Sequence, residues 1–285
     1  MIVAIASGKG GTGKTLLATN LAHIAGEQNN VRLFDLDVEE PNDHLFLKFE
    51  NQSTEAVKNM IPLVDESLCT YCGICSQICE YHAIITLADQ VMVFPELCHS
   101  CYGCLELCPE NAISEGFKDI GTITKAANGK LSLVTGRLRI SETATTALIS
   151  RTQKVLPDSE TLQIYDAPPG TSCPFIETAK RADFILLVAE PTPFGLHDMD
   201  LVVQTLRQMD KPMAVVVNKS EPGNTLIEDY CMEKNIAVLA RIPLRDDIAR
   251  TYATGDLIID KIPGMRYLFV ELLRRLINET ETMRS

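Results

Sequence analysis

A glycine-rich segment near the amino terminus places the strongest constraint on the fold. It runs from Ser7 to Thr15, between the apolar run Ile2–Ala6 and residues 16–22, where leucine and alanine recur at helical spacing. Strand, glycine-rich loop and helix, in that order, form the context in which Gly-x4-Gly-Lys-Thr binds phosphate. The glycines let successive N–H groups point at phosphate oxygens, at the positive end of a helix. A loop that merely turns the chain is the alternative.

The other apolar runs predict an α/β fold with a doubly wound, mostly parallel sheet. They are continuous rather than alternating, which is typical of strands buried on both faces, and amphipathic stretches separate them. The predicted strands are Val31–Leu36, Leu162–Tyr165, Phe184–Ala189, Met213–Val217 and Ala237–Ile242, and the predicted helices are Pro174–Arg181, Asp198–Met209, Asn224–Asn235, Asp246–Thr254 and Met265–Ile277. Residues 121–140, with a turn at Asn128-Gly129, predict a hairpin that rejoins this sheet.

The residues of the loop and of two strand ends predict a site for phosphoryl transfer. Lys14 would reach the β- and γ-phosphates, and Thr15 would bind Mg²⁺. The reaction also needs carboxylates at strand ends that face the loop, and Asp37 and Asp166 have that placement. Asp35 can equally cap a turn.

The loop also carries a family resemblance. Its sequence is Lys9-Gly10-Gly11-Thr12-Gly13-Lys14-Thr15, preceded by Gly8. With an extra lysine near its start, it resembles the deviant Walker A loop of the MinD/ParA ATPases and the nitrogenase iron protein. The resemblance covers nearly the whole chain outside a cysteine-rich segment. It implies a Mg²⁺-dependent ATPase that acts as a dimer, either of identical chains or with a paralogous ATPase.

The same resemblance assigns roles to individual residues. It implies that Lys9 reaches the partner's ATP across the dimer, that Asp37 positions the attacking water, and that Asp166 contacts Mg²⁺ through water. Asn218 resembles the family's adenine-reading asparagine, and Pro243 lies in a segment that resembles its base-flanking loop; ordinary loop chemistry is the alternative for both. The predicted catalytic residues are therefore Lys9, Lys14 and Asp37.

Eight of the ten cysteines form two runs with the same spacing, Cys-x2-Cys-x2-Cys-x3-Cys. This is the bacterial ferredoxin spacing, in which the fourth cysteine of each run is a ligand of the other cluster. One predicted 4Fe–4S cluster has the ligands Cys69, Cys72, Cys75 and Cys108, and the other has Cys98, Cys101, Cys104 and Cys79. Zinc is the alternative, but four-cysteine zinc sites are normally built from two separated Cys-x2-Cys pairs.

These patterns predict two domains. Residues 62–118 form an inserted, small α+β ferredoxin domain, and residues 1–61 and 119–285 form the ATPase domain. Because closed four-thiolate clusters transfer single electrons, the leading hypothesis is an ATPase that couples nucleotide-dependent dimerisation to electron transfer with a redox protein partner. The alternative is an iron–sulfur cluster assembly carrier that resembles the Mrp branch of the same superfamily.

Composition disfavours two other classes of partner. The net charge of −12 argues against nucleic acid or an anionic membrane as a partner. Neither a signal peptide nor a membrane-spanning stretch is recognisable, so we expect a cytoplasmic protein. Disulfides are rare there, so the ten cysteines indicate metal ligands or redox chemistry rather than cross-links.

The two cysteines outside the runs and the last predicted helix remain to be interpreted. Cys173, at the start of a helix, is either a metal or transfer contact or a buried thiol. Cys231 is expected to pack in the core. The helix 265–277 is expected to pack on the core as well, with a membrane-targeting helix as the alternative.

Overall fold

The computed structural model describes residues 1–49, 51–155 and 161–282. Two single 3-10 turns, Asp43–Leu45 and Pro95–Leu97, supplement the regular elements. In chain order, these elements are β1 (Ile2–Ala6), α1 (Lys14–Gln28), β2 (Val31–Asp35), β3 (Asn51–Val64), α2 (Ile74–Ile78), β4 (Ile84–Leu87), β5 (Gln90–Val93), α3 (Gly103–Glu106), β6 (Ile113–Asn128), β7 (Leu131–Leu138), α4 (Thr145–Gln153), β8 (Leu162–Asp166), α5 (Cys173–Arg181), β9 (Phe184–Ala189), α6 (Pro193–Gln208), β10 (Met213–Ser220), α7 (Leu226–Glu233), β11 (Ala237–Pro243), α8 (Asp246–Ala253), α9 (Ile258–Lys261) and α10 (Met265–Thr282).

Nine strands form one large sheet in the order β11-β10-β9-β1-β8-β2-β7-β6-β3. β1 pairs in parallel with β8 and β9, β10 with β9 and β11, and β2 with β7 and β8. The predicted α/β fold with a mostly parallel sheet is therefore confirmed. The predicted turn at Gly129, which has a φ of 59°, joins β6 to β7 in this sheet.

Helices cover both faces of the sheet. Successive strand residues point to opposite faces, and in β9 all six residues are buried. On one face, Val3 and Ile5 join a cluster that includes Leu17 of α1 and Phe269 and Leu272 of α10. α10 thus packs on the core, as expected. None of the described helices is both long and apolar enough to cross a bilayer.

The chain divides into two compact units. The first contains Met1–Thr54, Ile123–Arg137 and Ile149–Ser285, and the second contains Glu55–Thr122 and Leu138–Leu148. The domain boundaries predicted at 61/62 and 118/119 stay predictions. β3 was not predicted, because its first six residues are exposed and polar or small, so no apolar periodicity marks it. The second unit contains α2, α3 and the antiparallel pair β4–β5.

Candidate functional site

The phosphate loop connects β1 to α1 in a conformation that requires glycine. Gly11 and Gly13 have φ values of 76° and 99°, a region that favours glycine. A Cβ on Gly8 would lie 2.3 Å from the Asp198 carbonyl oxygen, and a Cβ on Gly13 would lie 2.2 Å from Asn218 Nδ2. The first turn of α1 contains no acidic residue and its N-cap makes no side-chain hydrogen bond, so its N–H groups suit an anion.

Lys14 lies at the start of α1 and is 7% exposed. Burial lowers the pKa of its ammonium group, and the nearby carboxylates of Asp166 and Asp37 partly oppose this effect. A cation held out of water beside the loop N–H groups is suited to polyphosphate, because the interaction is little screened there.

Asp166 ends β8, directly beside the end of β2, where Asp35 is its register partner. Thr15 Oγ1 donates a 2.7 Å hydrogen bond to Asp166 Oδ2. Burial raises the pKa of Asp166 to about 6, although Lys14 and Thr15 favour its charged form. A hydroxyl and a carboxylate in contact at the mouth of a phosphate loop are the oxygen ligands that Mg²⁺ prefers. The residues present therefore fit this ion.

Asp43 is a member of this acidic group that the sequence did not reveal. It is fully buried, and its backbone N–H donates a 3.0 Å hydrogen bond to Asp35 Oδ2. Burial and the charges of Asp35 and Asp166 raise the pKa of Asp43 well above its usual value. Asp35 is also buried, and burial followed by the charge of Asp166 raises its pKa in the same way. Asp35 Oδ1 is buried without a hydrogen-bond partner among the described residues. A cation or a proton is therefore needed to balance the negative charge of the three carboxyl groups.

Asp37 lies two residues after β2 and is half-buried. Burial raises the pKa of its carboxyl, and Lys14 opposes that shift. Because its carboxylate interacts electrostatically with Lys14, Asp37 lies close enough to the phosphate loop to act there. Its role in orienting water stays a prediction.

Asn218 lies against the phosphate loop. Its Nδ2 donates a 2.7 Å hydrogen bond to the Thr12 carbonyl oxygen, and its Oδ1 accepts one from the backbone N–H of Lys219. Both polar atoms of the side chain are therefore engaged, Nδ2 with the phosphate loop and Oδ1 with the adjacent backbone. Pro243 ends β11, and the next residue, Leu244, bonds back to Ser220. Base recognition by Asn218 and Pro243 stays a prediction.

Lys9 makes an ion pair that the sequence did not reveal. Its Nζ lies 3.3 Å from Glu190 Oε2, just after the end of β9, and Lys219 approaches the other oxygen of the same carboxylate. The only signal in the sequence was an acidic residue at a strand end, which is where ligands bind in such sheets.

In the second unit, the eight clustered cysteines line two separate cavities. Cys69, Cys72, Cys75 and Cys108 line one, and Cys79, Cys98, Cys101 and Cys104 line the other. This division matches the two predicted ligand sets. Among the described residues, no three His, Cys, Asp or Glu side chains converge closely enough for a single metal ion.

The two cysteine runs adopt the same backbone conformation. Left-handed residues occur at matching positions of the runs, namely Tyr71 and Ser100, Gly73 and Tyr102, and His82 and Asn111. Backbone N–H groups also donate to sulfur at matching positions, from Ala83 to Cys79 and from Ala112 to Cys108. Such bonds favour thiolates over thiols. The chemistry and symmetry of these donor sets therefore fit a pair of similar thiolate-bound groups.

Two cysteines of the second cavity resist deprotonation as long as no cation is bound to them. Burial, and then the neighbouring Cys98 and Cys101, raises the pKa of Cys104 to about 11. Burial likewise raises the pKa of Cys98. A bound cation reverses this balance, because a coordinating thiol is deprotonated outright.

The two remaining cysteines differ in exposure. Cys231 is 1% exposed in α7, which confirms the expected core position. Cys173 begins α5 and is exposed. The interpretation of Cys173 as a buried thiol is therefore wrong, because the loop after β8 leaves the first residue of the helix at the surface.

Comparisons with known proteins agree with the geometry of the loop. Residues 3–258 match the CobQ/CobB/MinD/ParA nucleotide-binding domain. An uncharacterised protein of Methanocaldococcus jannaschii is 30% identical over 227 residues, which is 77% of this chain and 80% of that protein. A second uncharacterised protein of that organism is 28% identical over 278 residues, which is 97% of this chain and 96% of that protein.

Solved structures share the fold. The Pyrococcus furiosus cell division ATPase MinD is 18% identical, with a TM-score of 0.60 over 99% of this chain and 98% of that one. The Pyrococcus horikoshii MinD complexed with Mg-ADP is 16% identical, with a TM-score of 0.60 over 96% and 95% of the two chains. A chain of the Aquifex aeolicus MinC:MinD cell division protein complex is 20% identical, with a TM-score of 0.59 over 97% of this chain and 95% of that one.

Proposed function

The chain belongs to the CobQ/CobB/MinD/ParA nucleotide-binding family, and from this premise we propose that it is an ATP-hydrolysing iron–sulfur protein that couples nucleotide-dependent dimerisation to electron transfer. One observation carries the proposal. Eight cysteines divide into two sets of four, each around its own cavity, in a chain that also has a complete phosphate loop.

The ATPase part of the proposal assigns tasks to the residues around the loop. Lys14 and the N–H groups at the start of α1 bind the phosphates. Thr15 and Asp166 hold Mg²⁺, which supplies charge neutralisation for phosphoryl transfer. Asp37 orients the attacking water, and Lys9 contacts the nucleotide of the partner subunit. The active form is a dimer of identical chains or of this chain with a paralogous ATPase.

The redox part of the proposal assigns one 4Fe–4S cluster to each set of four cysteines. A closed four-thiolate cluster supplies one-electron transfer when it is bound. Zinc would bring four sulfurs to about 2.3 Å from one centre, whereas the irons of a cluster hold the sulfurs farther apart. Four-cysteine zinc sites are normally built from two separated Cys-x2-Cys pairs, so the spacing of the two cysteine runs favours the cluster. The partner that fits this function is a redox protein.

Two measurements test the proposal. Protein purified without oxygen should contain about eight irons and about eight sulfides per chain, with an EPR signal of two coupled clusters after reduction. Its reduction potential or its electron-transfer rate should differ between ADP and ATP. The presence of zinc instead of iron, or a redox behaviour that does not respond to the nucleotide, would refute the coupling.

Lys14→Ala is the matched test of the nucleotide site. We expect a loss of ATP affinity of about tenfold to a hundredfold, the effect of removing a charged hydrogen-bond donor. Lys261→Ala is the control, because the Lys261 side chain is 57% exposed and pairs only loosely with Asp256 at 3.8 Å. Equal ATP affinity in the two variants would contradict the proposal.

Cluster delivery is the second candidate function. Cys72 and Cys101, one from each set, are exposed, and an accessible ligand favours transfer of a cluster to another protein. Incubation of the loaded protein with an apo-acceptor distinguishes the two functions. Loss of iron to the acceptor supports delivery, and clusters that remain bound through repeated redox cycles support electron transfer.

A further inference from the structure

The carboxylate of Glu190 lies between two lysines. Lys9 Nζ is 3.3 Å from Oε2, and Lys219 Nζ is 2.5 Å from Oε1. The Glu190 side chain is 12% exposed, whereas those of Lys9 and Lys219 are 36% and 45% exposed. Burial opposes ionisation of Glu190, but the hydrogen bonds from Lys219 and Lys9 hold its pKa below the usual value. Glu190 is thus a poorly hydrated anion with two cationic partners.

Lys219 is anchored independently of this pair. Its Nζ also donates a 3.1 Å hydrogen bond to the Gly11 carbonyl oxygen. Its backbone has a left-handed φ of 53°, and its N–H donates to Asn218 Oδ1. Lys219 is therefore fixed to the phosphate loop, whereas Glu190 Oε2 is the one ion-pair partner of Lys9 within the described residues.

We propose that Glu190 is a positioning residue that holds Lys9 on its own chain until the nucleotide of a partner subunit competes for it. The inference rests on the proposed function, in which Lys9 contacts the ATP of the other subunit. An ammonium group that bonds to Glu190 cannot at the same time contact a nucleotide on another chain. The Lys9–Glu190 contact therefore opposes dimerisation, and it must break when the dimer forms.

Lys219 makes this contact reversible. A poorly hydrated carboxylate that loses its only cation is strongly destabilised. When Lys9 leaves, Glu190 keeps the ion pair with Lys219, so its charge remains balanced. A triphosphate carries more negative charge than one carboxylate, so it can compete for Lys9, whereas an empty site cannot. Glu190 thus keeps Lys9 in an ion pair within its own chain, and only a partner subunit with bound nucleotide can replace Glu190 in that pair.

Glu190→Gln tests the inference in the cluster-loaded protein. The dissociation constant of the dimer is measured by sedimentation velocity with Mg²⁺ and a non-hydrolysable ATP analogue. Because the loss of one weak ion pair at a protein surface changes an equilibrium constant about 1.4-fold to fivefold, we expect the dimer to tighten by that factor. Glu190→Asp, which keeps the charge, should return the constant toward that of the wild type. Glu233→Gln is the control, since that side chain is 70% exposed and pairs with the adjacent Lys234.

A second variant tests the same pair from the other side. Lys219→Gln leaves Glu190 with Lys9 as its only cation, so the hold on Lys9 should strengthen and the dimer should weaken. A purely structural role of Glu190 predicts no tightening in Glu190→Gln. An unchanged or weaker dimer in Glu190→Gln, or a tighter one in Lys219→Gln, overturns the inference.

Two controls separate this inference from the proposed function. Nucleotide affinity is measured at protein concentrations below the dimerisation range. A loss of affinity in Glu190→Gln would overturn the inference, because Glu190 would then act on the phosphate loop rather than on Lys9. If the wild-type protein does not dimerise with nucleotide, or if Lys9→Ala leaves dimerisation unchanged, the proposed function itself fails.

Discussion

Thr15 Oγ1 and Asp166 Oδ2 are joined by a 2.7 Å hydrogen bond, which links the first turn of α1 to the end of β8. The two residues are 151 positions apart in the sequence, and only the parallel pairing of β1 with β8 brings them together. The bond keeps both oxygens at the mouth of the phosphate loop, where one cation can contact both.

Thr15→Ala should weaken Mg²⁺-dependent ATP binding by about tenfold, because it removes one oxygen ligand and one hydrogen bond to a charged group. Thr15→Ser keeps the hydroxyl and should remain close to the wild type. Calorimetric titration of ATP at several Mg²⁺ concentrations measures the effect. Thr254→Ala, at the exposed end of α8, is the control. Identical Mg²⁺ dependence in Thr15→Ala and the wild type would remove Thr15 from the metal site.

The raised pKa of Asp166, about 6, predicts a pH dependence of Mg²⁺ binding. Mg²⁺ needs the carboxylate, and the proton competes for it below the pKa. The Mg²⁺ concentration at half-saturation should therefore rise about tenfold per pH unit below pH 6 and level off above pH 7, as one displaced proton requires. Titrations of nucleotide binding between pH 5.5 and 8 measure this.

Asp166→Asn is the matched variant for the pH series. The asparagine side chain carries no negative charge, so this variant should bind Mg²⁺ more weakly at every pH. It also does not titrate, so its Mg²⁺ binding should depend less on pH than that of the wild type. Asp35 and Asp43 also have raised pKa values, so a shallow slope is expected to remain. Parallel curves for the two proteins would mean that Asp166 does not titrate in this range.

The phosphate site divides into parts that the sequence could predict and parts that it could not. The loop and Asp166 were predictable because each follows a continuous apolar strand, and parallel strands bring their carboxyl ends to one edge. Asp43 was not, because it begins a three-residue 3-10 turn after β2 that is too short to show a periodicity. The Lys9–Glu190 pair was not predicted either, because the sequence does not specify which of 38 acidic residues faces the loop.

The cysteine segment shows a similar division. The spacing predicted two sets of four, and these sets line the two cavities of the structure. The position of β3 was not predictable, since its exposed residues carry no apolar pattern. The exposure of Cys173 depends on the path of the loop after β8, which no local pattern specifies.

Cys69→Ser should lower the iron content by about half, because one ligand set loses a thiolate while the other set stays intact. Iron and sulfide counting with EPR on anaerobically purified protein measures this. Cys173→Ser, a change at an exposed cysteine outside both cavities, is the control and should keep the full iron content. Equal iron loss in both variants, or none in either, would contradict the assignment of ligands.

Gly13→Ala should destabilise the protein, and Gly10→Ala should not. A Cβ on Gly13 would overlap Asn218 Nδ2, which is buried and bonded to the Thr12 carbonyl oxygen, and the φ of 99° is itself strained for alanine. A Cβ on Gly10 meets nothing within 4 Å, and its φ lies outside the left-handed range. We expect Gly13→Ala to lower the free energy of unfolding by about 1–3 kcal/mol, and Gly10→Ala to change it by less than about 0.5 kcal/mol. Urea unfolding without nucleotide measures both. Equal stabilities would show that neither the φ of Gly13 nor its close approach to Asn218 constrains the loop.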